Sequence, residues 1–106
     1  MQVKFCDKDL EELIFTGNNS KYKKYSRDKR FMKGLAQVYT ILQVVANAEG
    51  LRPYSYLHYE KLANNVNLSS VRILNGRVER LLFKEINDGI EITIIELNTT
   101  HYGNKK

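Results

Sequence analysis

The dipeptide Asn75-Gly76, set between two runs of β-prone residues, constrains the fold of this chain more than any other feature. Asn-Gly is the strongest short signal for a two-residue hairpin turn, because both central residues of such a turn must reach positive φ. It predicts a hairpin that pairs residues 68–74 with residues 77–86. Asn87-Asp88-Gly89 predicts a second turn into a strand over residues 90–97, with Ile90, Ile92 and Ile94 on one face and Thr93, Ile95 and Leu97 on the other. If the first turn is type I′, Arg72 falls opposite Glu79 and Val71 opposite Arg80, which sends the two arginines to different faces. The rest of the chain is organised around residues 69–102, which finish on His101-Tyr102.

A chain of 106 residues with 42% hydrophobic content is expected to form one domain over residues 1–106, large enough for one core and too small for two. The formal net charge of +5 and a pI near 9.4 lean toward a polyanionic partner such as nucleic acid. The one cysteine, Cys6, excludes a disulfide framework within the chain and is expected to pack as a small hydrophobe. One Cys with two His falls short of a metal-ligand pattern, so neither a metal nor a cofactor is expected. Residues 1–4 carry no basic-plus-apolar leader, and no apolar run nears the roughly 18 residues a membrane helix needs, so a soluble, cytoplasmic protein without a membrane partner is expected.

Residues 2–6 alternate and predict a short strand leading into a first helix, where Asp7 or Asp9 caps the first turn, Leu10, Leu13 and Ile14 fall at helical spacing, and Gly17 stops the helix. Residues 18–30 are the most polar stretch, with Lys21, Lys23, Lys24, Arg27, Lys29 and Arg30 interleaved with Tyr22 and Tyr25. Such a run can neutralise RNA phosphates while its tyrosines stack on bases, or it can simply face water as a loop and helix start. From about Arg27 to Ala48 the positions Phe31, Met32, Leu35, Val38, Tyr39, Leu42, Val45 and Ala46 predict a long amphipathic helix closed by Gly50, with Lys29, Lys33 and Gln37 off its apolar stripe. Residues 51–67 contain the one proline, Pro53, and predict a brief extended segment near Tyr56, His58 and Glu60 followed by a loop. The order β-α-α-(loop)-β-β-β describes an α+β domain with two helices on one face of a mainly antiparallel sheet.

At these residues the sequence resembles the RelE/ParE superfamily of small bacterial toxins, and within it the HigB-like or plasmid-maintenance-killer branch. The resemblance runs through Val3-Lys4-Phe5, the segment Lys8-Asp9-Leu10-Glu11-Glu12-Leu13 with Thr16-Gly17, Tyr59-Glu60-Lys61-Leu62, Ser70-Val71-Arg72-Ile73, Arg80-Leu81-Leu82-Phe83, Asp88-Gly89, and Ile94-Ile95-Glu96-Leu97 ahead of His101-Tyr102. It implies a RelE-like fold and a ribosome-dependent mRNA endoribonuclease, the toxin of a type II toxin-antitoxin system. Its implied partners are the ribosome and mRNA and a cognate antitoxin, a small helix-turn-helix protein through which a larger assembly would sit on operator DNA. Relatives of this branch commonly carry arginines where Arg72 and Arg80 stand and a histidine where His101 stands. Some have Asp-Tyr immediately before that histidine, whereas Thr99-Thr100 stand here; His58 matches a histidine in some relatives.

Cutting RNA without a metal requires a base for the 2′-hydroxyl proton, a cation for the charge on the phosphorane and an acid for the departing 5′-oxygen. Histidine alone has an unperturbed pKa suited to both proton transfers near neutrality, so His101 is the first candidate and His58 the second. Arg80 is the candidate for phosphate, which guanidinium binds bidentately while staying charged. Arg72 either shares that phosphate or pairs with Glu79 across the hairpin. Tyr102 can stack on a base, donate a proton or simply pack. Lys21, Lys23, Lys24, Arg27, Lys61 and Lys84 are candidates for RNA or ribosome contact, with a solvated cation the plain alternative for each. Glu60 and Glu85 are fallback bases or surface carboxylates. Two other functions share the fold: a ParE-like toxin that binds DNA gyrase and cuts nothing, and a catalytically inactive module that binds RNA or protein.

Overall fold

The computed structural model describes residues 1–62 and 67–99. The described chain runs β1 (Gln2–Phe5), α1 (Lys8–Thr16), α2 (Lys23–Ser26), α3 (Lys29–Val44), two 3-10 turns (Ala48–Leu51 and Ser55–Leu57), β2 (Glu60–Lys61), β3 (Leu68–Arg72), β4 (Arg80–Ile86) and β5 (Glu91–Asn98). This is an α+β fold, as expected. It has one helix and one strand more than the sequence suggested: the single turn of α2 and the two-residue β2.

The five strands form one sheet in the order β1-β5-β4-β3-β2. Only β1 is parallel to its neighbour, β5; the remaining pairs are antiparallel. Among the described residues no helix is long and apolar enough to cross a membrane.

The helix ends follow local chemistry. Asp7 caps α1 by accepting from the amides of Asp9 and Leu10, and Gly17 closes it in the left-handed region at φ 79°. Asp28 caps α3 by accepting from the Phe31 amide at 3.0 Å. The stripe of α3 buries Phe31, Leu35, Val38 and Leu42, while Lys29, Lys33 and Gln37 face solvent. The helix stops at Val44, short of the predicted Ala48, because Val45 turns extended and Asn47 opens a new turn by accepting from Gly50. Gly50 therefore belongs to that turn and does not cap α3.

The helices cover one face of the sheet. Leu10, Leu13 and the α3 stripe meet Val71, Leu81, Phe83, Ile92, Ile94 and Leu97 in a continuous core, where each fully buried aliphatic or aromatic side chain contributes on the order of 1.5–3 kcal/mol. Leu62 and Leu82 are also buried, but outside this cluster. Cys6 lies exposed rather than packed.

Two registers differ from the expectation. Asn75-Gly76 does turn the chain, with the Arg77 amide donating to the Leu74 carbonyl at 3.2 Å. Gly76 alone takes a positive φ, 84°, and Asn75 does not, so the turn is not type I′. The ladder closes one residue later than in a two-residue hairpin, with the Ile73 amide donating to the Glu79 carbonyl. Val71 consequently faces Leu81, and Arg72 faces Arg80. A one-residue slip exchanges faces, so the two arginines share one.

In β5 a bulge between the pairs Leu82↔Glu96 and Phe83↔Ile94 leaves Ile95 as an extra residue. It turns Leu97 to the core side together with Ile92 and Ile94, where strict alternation had placed it opposite them. The preceding turn comprises three successive left-handed residues, Asn87, Asp88 and Gly89. Ile90 falls just outside the strand and is exposed.

Candidate active site

The face of the sheet turned away from the helices carries two rows of side chains. Arg72, Arg80 and Asn98 form one, directly opposite each other on β3, β4 and β5; Glu60, Ser70, Leu82 and Glu96 form the other across β2 to β5. Alternation puts both rows on the same face, because Arg80 and Leu82 are two residues apart on one strand.

Arg80 is held from the second row. Its Nη1 donates to Ser70 Oγ at 3.4 Å and lies 3.7 Å from Glu60 Oε2. The Arg80 side chain is only 10% exposed, whereas that of Glu60 is 53% exposed, so the carboxylate reaches water while the guanidinium stays under cover. The Nε of Arg72 is buried and has no hydrogen-bond partner among the described residues. A buried donor of a charged group left unmade costs free energy unless something supplies an acceptor, and this one stands beside a second guanidinium.

The alternative partner for Arg72 is taken. Glu79 accepts from Arg77 Nη2 at 3.0 Å and from the Tyr25 hydroxyl at 3.1 Å, and Arg77 also donates to Asp28 at 2.9 Å. Arg77 thus locks the hairpin onto the start of α3 and packs over the Phe31 ring. The shifted register removes Glu79 from the position opposite Arg72, and Arg77, two residues earlier in the segment leading into β4, claims it.

An open groove at the end of β5, lined by Asp7, Lys21, Tyr22, Glu96, Asn98 and Thr99 among others, continues the arginine row toward the start of α1. Lys21 enters it and pairs with Asp7 at 3.6 Å. Burial pushes the Asp7 carboxyl up, but hydrogen bonds from Tyr22 and two backbone amides, with the Lys21 charge, outweigh this and hold its pKa below the ordinary value.

No family model matches the chain, and no curated protein matches it.

The remaining candidates are dispersed. Lys23, Lys24 and Arg27 are exposed on and beside α2, without a carboxylate partner among the described residues. Tyr22 and Tyr25, which the sequence offered for base stacking, are buried, with their hydroxyls donating to Asp7 and Glu79. Burial and these carboxylates push both phenols up in pKa, so they remain neutral donors. Lys61 points to the helix side of the sheet and pairs with Glu49 and Glu85. Lys84 is exposed four residues beyond Arg80 on β4, at the far end of the strand. His58 is exposed at the end of a 3-10 turn, in the left-handed region at φ 48°. His101 and Tyr102 lie outside the described residues. Among the described residues no three His, Cys, Asp or Glu side chains are grouped so as to hold a metal.

Glu60 is the residue the sequence reading undervalued. The usable signal was its place in the pattern Tyr59-Glu60-Lys61, where period two sends Glu60 to one face and both neighbours to the other. Together the arrangement offers a solvent-reaching carboxylate, a covered guanidinium at its side and a second guanidinium opposite with an unmet donor. Such a set can bind a phosphodiester and accept a proton next to it.

Proposed function

We propose that this chain is a toxin of the RelE/ParE superfamily, of the HigB-like branch, acting as a ribosome-dependent mRNA endoribonuclease. The observation that carries the reading is the facing pair Arg72 and Arg80 with Glu60 beside Arg80. It supplies two of the three functions that metal-independent RNA cleavage needs, a phosphorane-stabilising cation pair and a base.

In this mechanism Glu60 takes the proton from a ribose 2′-hydroxyl, and the 2′-oxygen attacks the adjacent phosphorus. Arg80 and Arg72 hold the non-bridging oxygens as their charge builds. The phosphorus–5′-oxygen bond breaks, and the leaving oxygen takes a proton from an acid, leaving a 2′,3′-cyclic phosphate and a 5′-hydroxyl. His101 is assigned as that acid. The chain leaves β5 at Asn98, which pairs with Arg80, and His101 follows three residues later, within a reach of roughly 10 Å of extended chain. The net charge of +5 favours approach to RNA, and a helix-turn-helix antitoxin is the expected silencing partner.

Primer extension on a defined mRNA in a purified translation system, with and without ribosomes, tests this. Expected are ribosome-dependent cuts by the wild type that disappear in Glu60→Gln, Arg80→Ala and His101→Ala. A folded wild-type protein that makes no cut under either condition removes the nuclease reading and leaves gyrase binding or pure RNA or protein binding.

A further inference from the structure

Strand β2 is two residues long and lies at the edge of the sheet, and its two side chains leave in opposite directions. Glu60 turns to the outer face and meets Arg80, whereas Lys61 turns to the helix side. So short an edge strand, joined to β3 among the described residues through Glu60↔Ser70, Lys61↔Ser69 and the Leu62 amide on the Leu68 carbonyl at 2.8 Å, has little ladder of its own. Its side chains must supply the rest.

On the helix side they converge on one carboxylate. Glu85 accepts hydrogen bonds from the Tyr59 hydroxyl, from Ser69 Oγ at 2.6 Å and from Lys61 Nζ at 3.4 Å. Two of those donors, Tyr59 and Lys61, are the neighbours of Glu60 in the chain. Tyr59 is fixed further by stacking on Phe83, with ring centroids 6.3 Å apart and planes 9° from parallel, and by the Arg52 guanidinium on its ring. Lys61 is also paired with Glu49 at 3.5 Å. Burial and the Glu85 carboxylate push the Tyr59 phenol upward in pKa, so its hydroxyl stays a donor across the neutral range.

We infer that the Glu85 carboxylate is a positioning residue, which anchors Tyr59 and Lys61 on the helix side and thereby holds Glu60 against Arg80 on the outer face. The inference rests on the reading of that face as the reacting site. Glu85 does not itself touch RNA; it acts through the strand.

The test combines kinetics with a signal that needs no activity. Glu85→Gln is expected to lower single-turnover cleavage about tenfold, part of what a general base supplies, with KM nearly unchanged. In a Glu60→Gln background the same substitution is expected to cost nothing further, because the group it positions is gone. The guanidinium NMR signal of Arg80 is expected to move in Glu85→Gln in the direction it moves in Glu60→Gln, and by less in Tyr59→Phe, which keeps the other two donors. Equal losses in both backgrounds, or a folded Glu85→Gln protein with an unmoved Arg80 signal, would overturn the inference. Should the wild type cut no RNA, the nuclease reading fails alone, and the Arg80 signal still decides whether Glu85 holds Glu60 in place.

Discussion

Arg72 lies directly across the β3–β4 ladder from Arg80, two like charges side by side on one face of the sheet. Cross-strand neighbours of this kind have Cβ atoms about 5 Å apart and destabilise each other by a few tenths of a kcal/mol or more. Glu60 compensates Arg80, but among the described residues nothing compensates the buried Nε of Arg72. A fold that keeps such a pair holds it at a cost in stability, which is the pattern of a binding site for an anion.

Replacing Arg72 by Leu is therefore expected to stabilise the protein in phosphate-free buffer by about 1 kcal/mol, the combined scale of a relieved like-charge pair and an unmet buried donor. Inorganic phosphate should raise the urea midpoint of the wild type by mass action and leave that of Arg72→Leu unmoved. A destabilised Arg72→Leu would mean that the guanidinium is a structural element, and the anion site would have to be abandoned.

Removal of the other guanidinium should act on rate. Arg80→Ala is expected to reduce ribosome-dependent cleavage by about 10²–10³, the usual loss when one preorganised charge-stabilising group is taken from an active site. Arg80→Lys should recover part of it, since the charge returns without the planar fork. Single-turnover cleavage of a ribosome-bound message measures both. An Arg80→Ala protein as fast as wild type would exclude the arginine from the reacting centre.

How far the sequence could carry these conclusions is clearest at the hairpin. Asn75-Gly76 located the turn and the strands around it, because turn chemistry and period-two alternation are local, and the order of helical and alternating segments indicated the α+β class. It could not fix the register, which depended on whether Asn75 joined Gly76 at positive φ, and a slip of one residue moved Arg80 to the other face. Leu97 was misplaced for the same reason, since the bulge at Ile95 leaves no local mark. Tyr22 and Tyr25 looked available because Asp7 and Glu79, which accept their hydroxyls, are 15 and 54 residues away in sequence. The Glu79 partner exists only once the hairpin is folded onto α3, and the Asp7 partner only once the segment after α1 returns to the start of that helix.

The Glu79 cluster carries an acid dependence of calculable sign. Burial pushes its carboxyl up, but hydrogen bonds from Arg77 and Tyr25 and the Arg77 charge prevail, leaving its pKa below the ordinary 4.5. A carboxylate lowered on folding contributes stability that is present above the ordinary pKa and lost as pH falls through the folded value. Stability against heat should therefore fall below about pH 4.5, and Glu79→Gln should lower stability near pH 7 by about 2 kcal/mol while flattening that acid limb. A variant whose acid limb stays as steep as wild type would assign the loss to other carboxylates, such as Asp7.

The closeness of α3 to the hairpin gives a prediction in which two effects compete. A Cβ on Gly34 would meet Leu74 Cδ2 at 2.8 Å and the Ile73 carbonyl oxygen at 3.1 Å. Gly34→Ala should gain about 1 kcal/mol from helix propensity. Overpacking against a backbone that cannot rotate away should cost about 1–3 kcal/mol. Leu74 is half-buried and can swing aside, but the carbonyl belongs to the residue after Arg72 and is tied into the ladder through the Ile73 amide. The backbone contact decides the sign, and a net loss of about 1 kcal/mol in urea unfolding is expected. Because the strain falls on the residue beside Arg72, phosphate protection should weaken together with stability. A stabilised Gly34→Ala with full phosphate protection would show that the hairpin moves freely against α3 and that the helix does not set the position of the arginine pair.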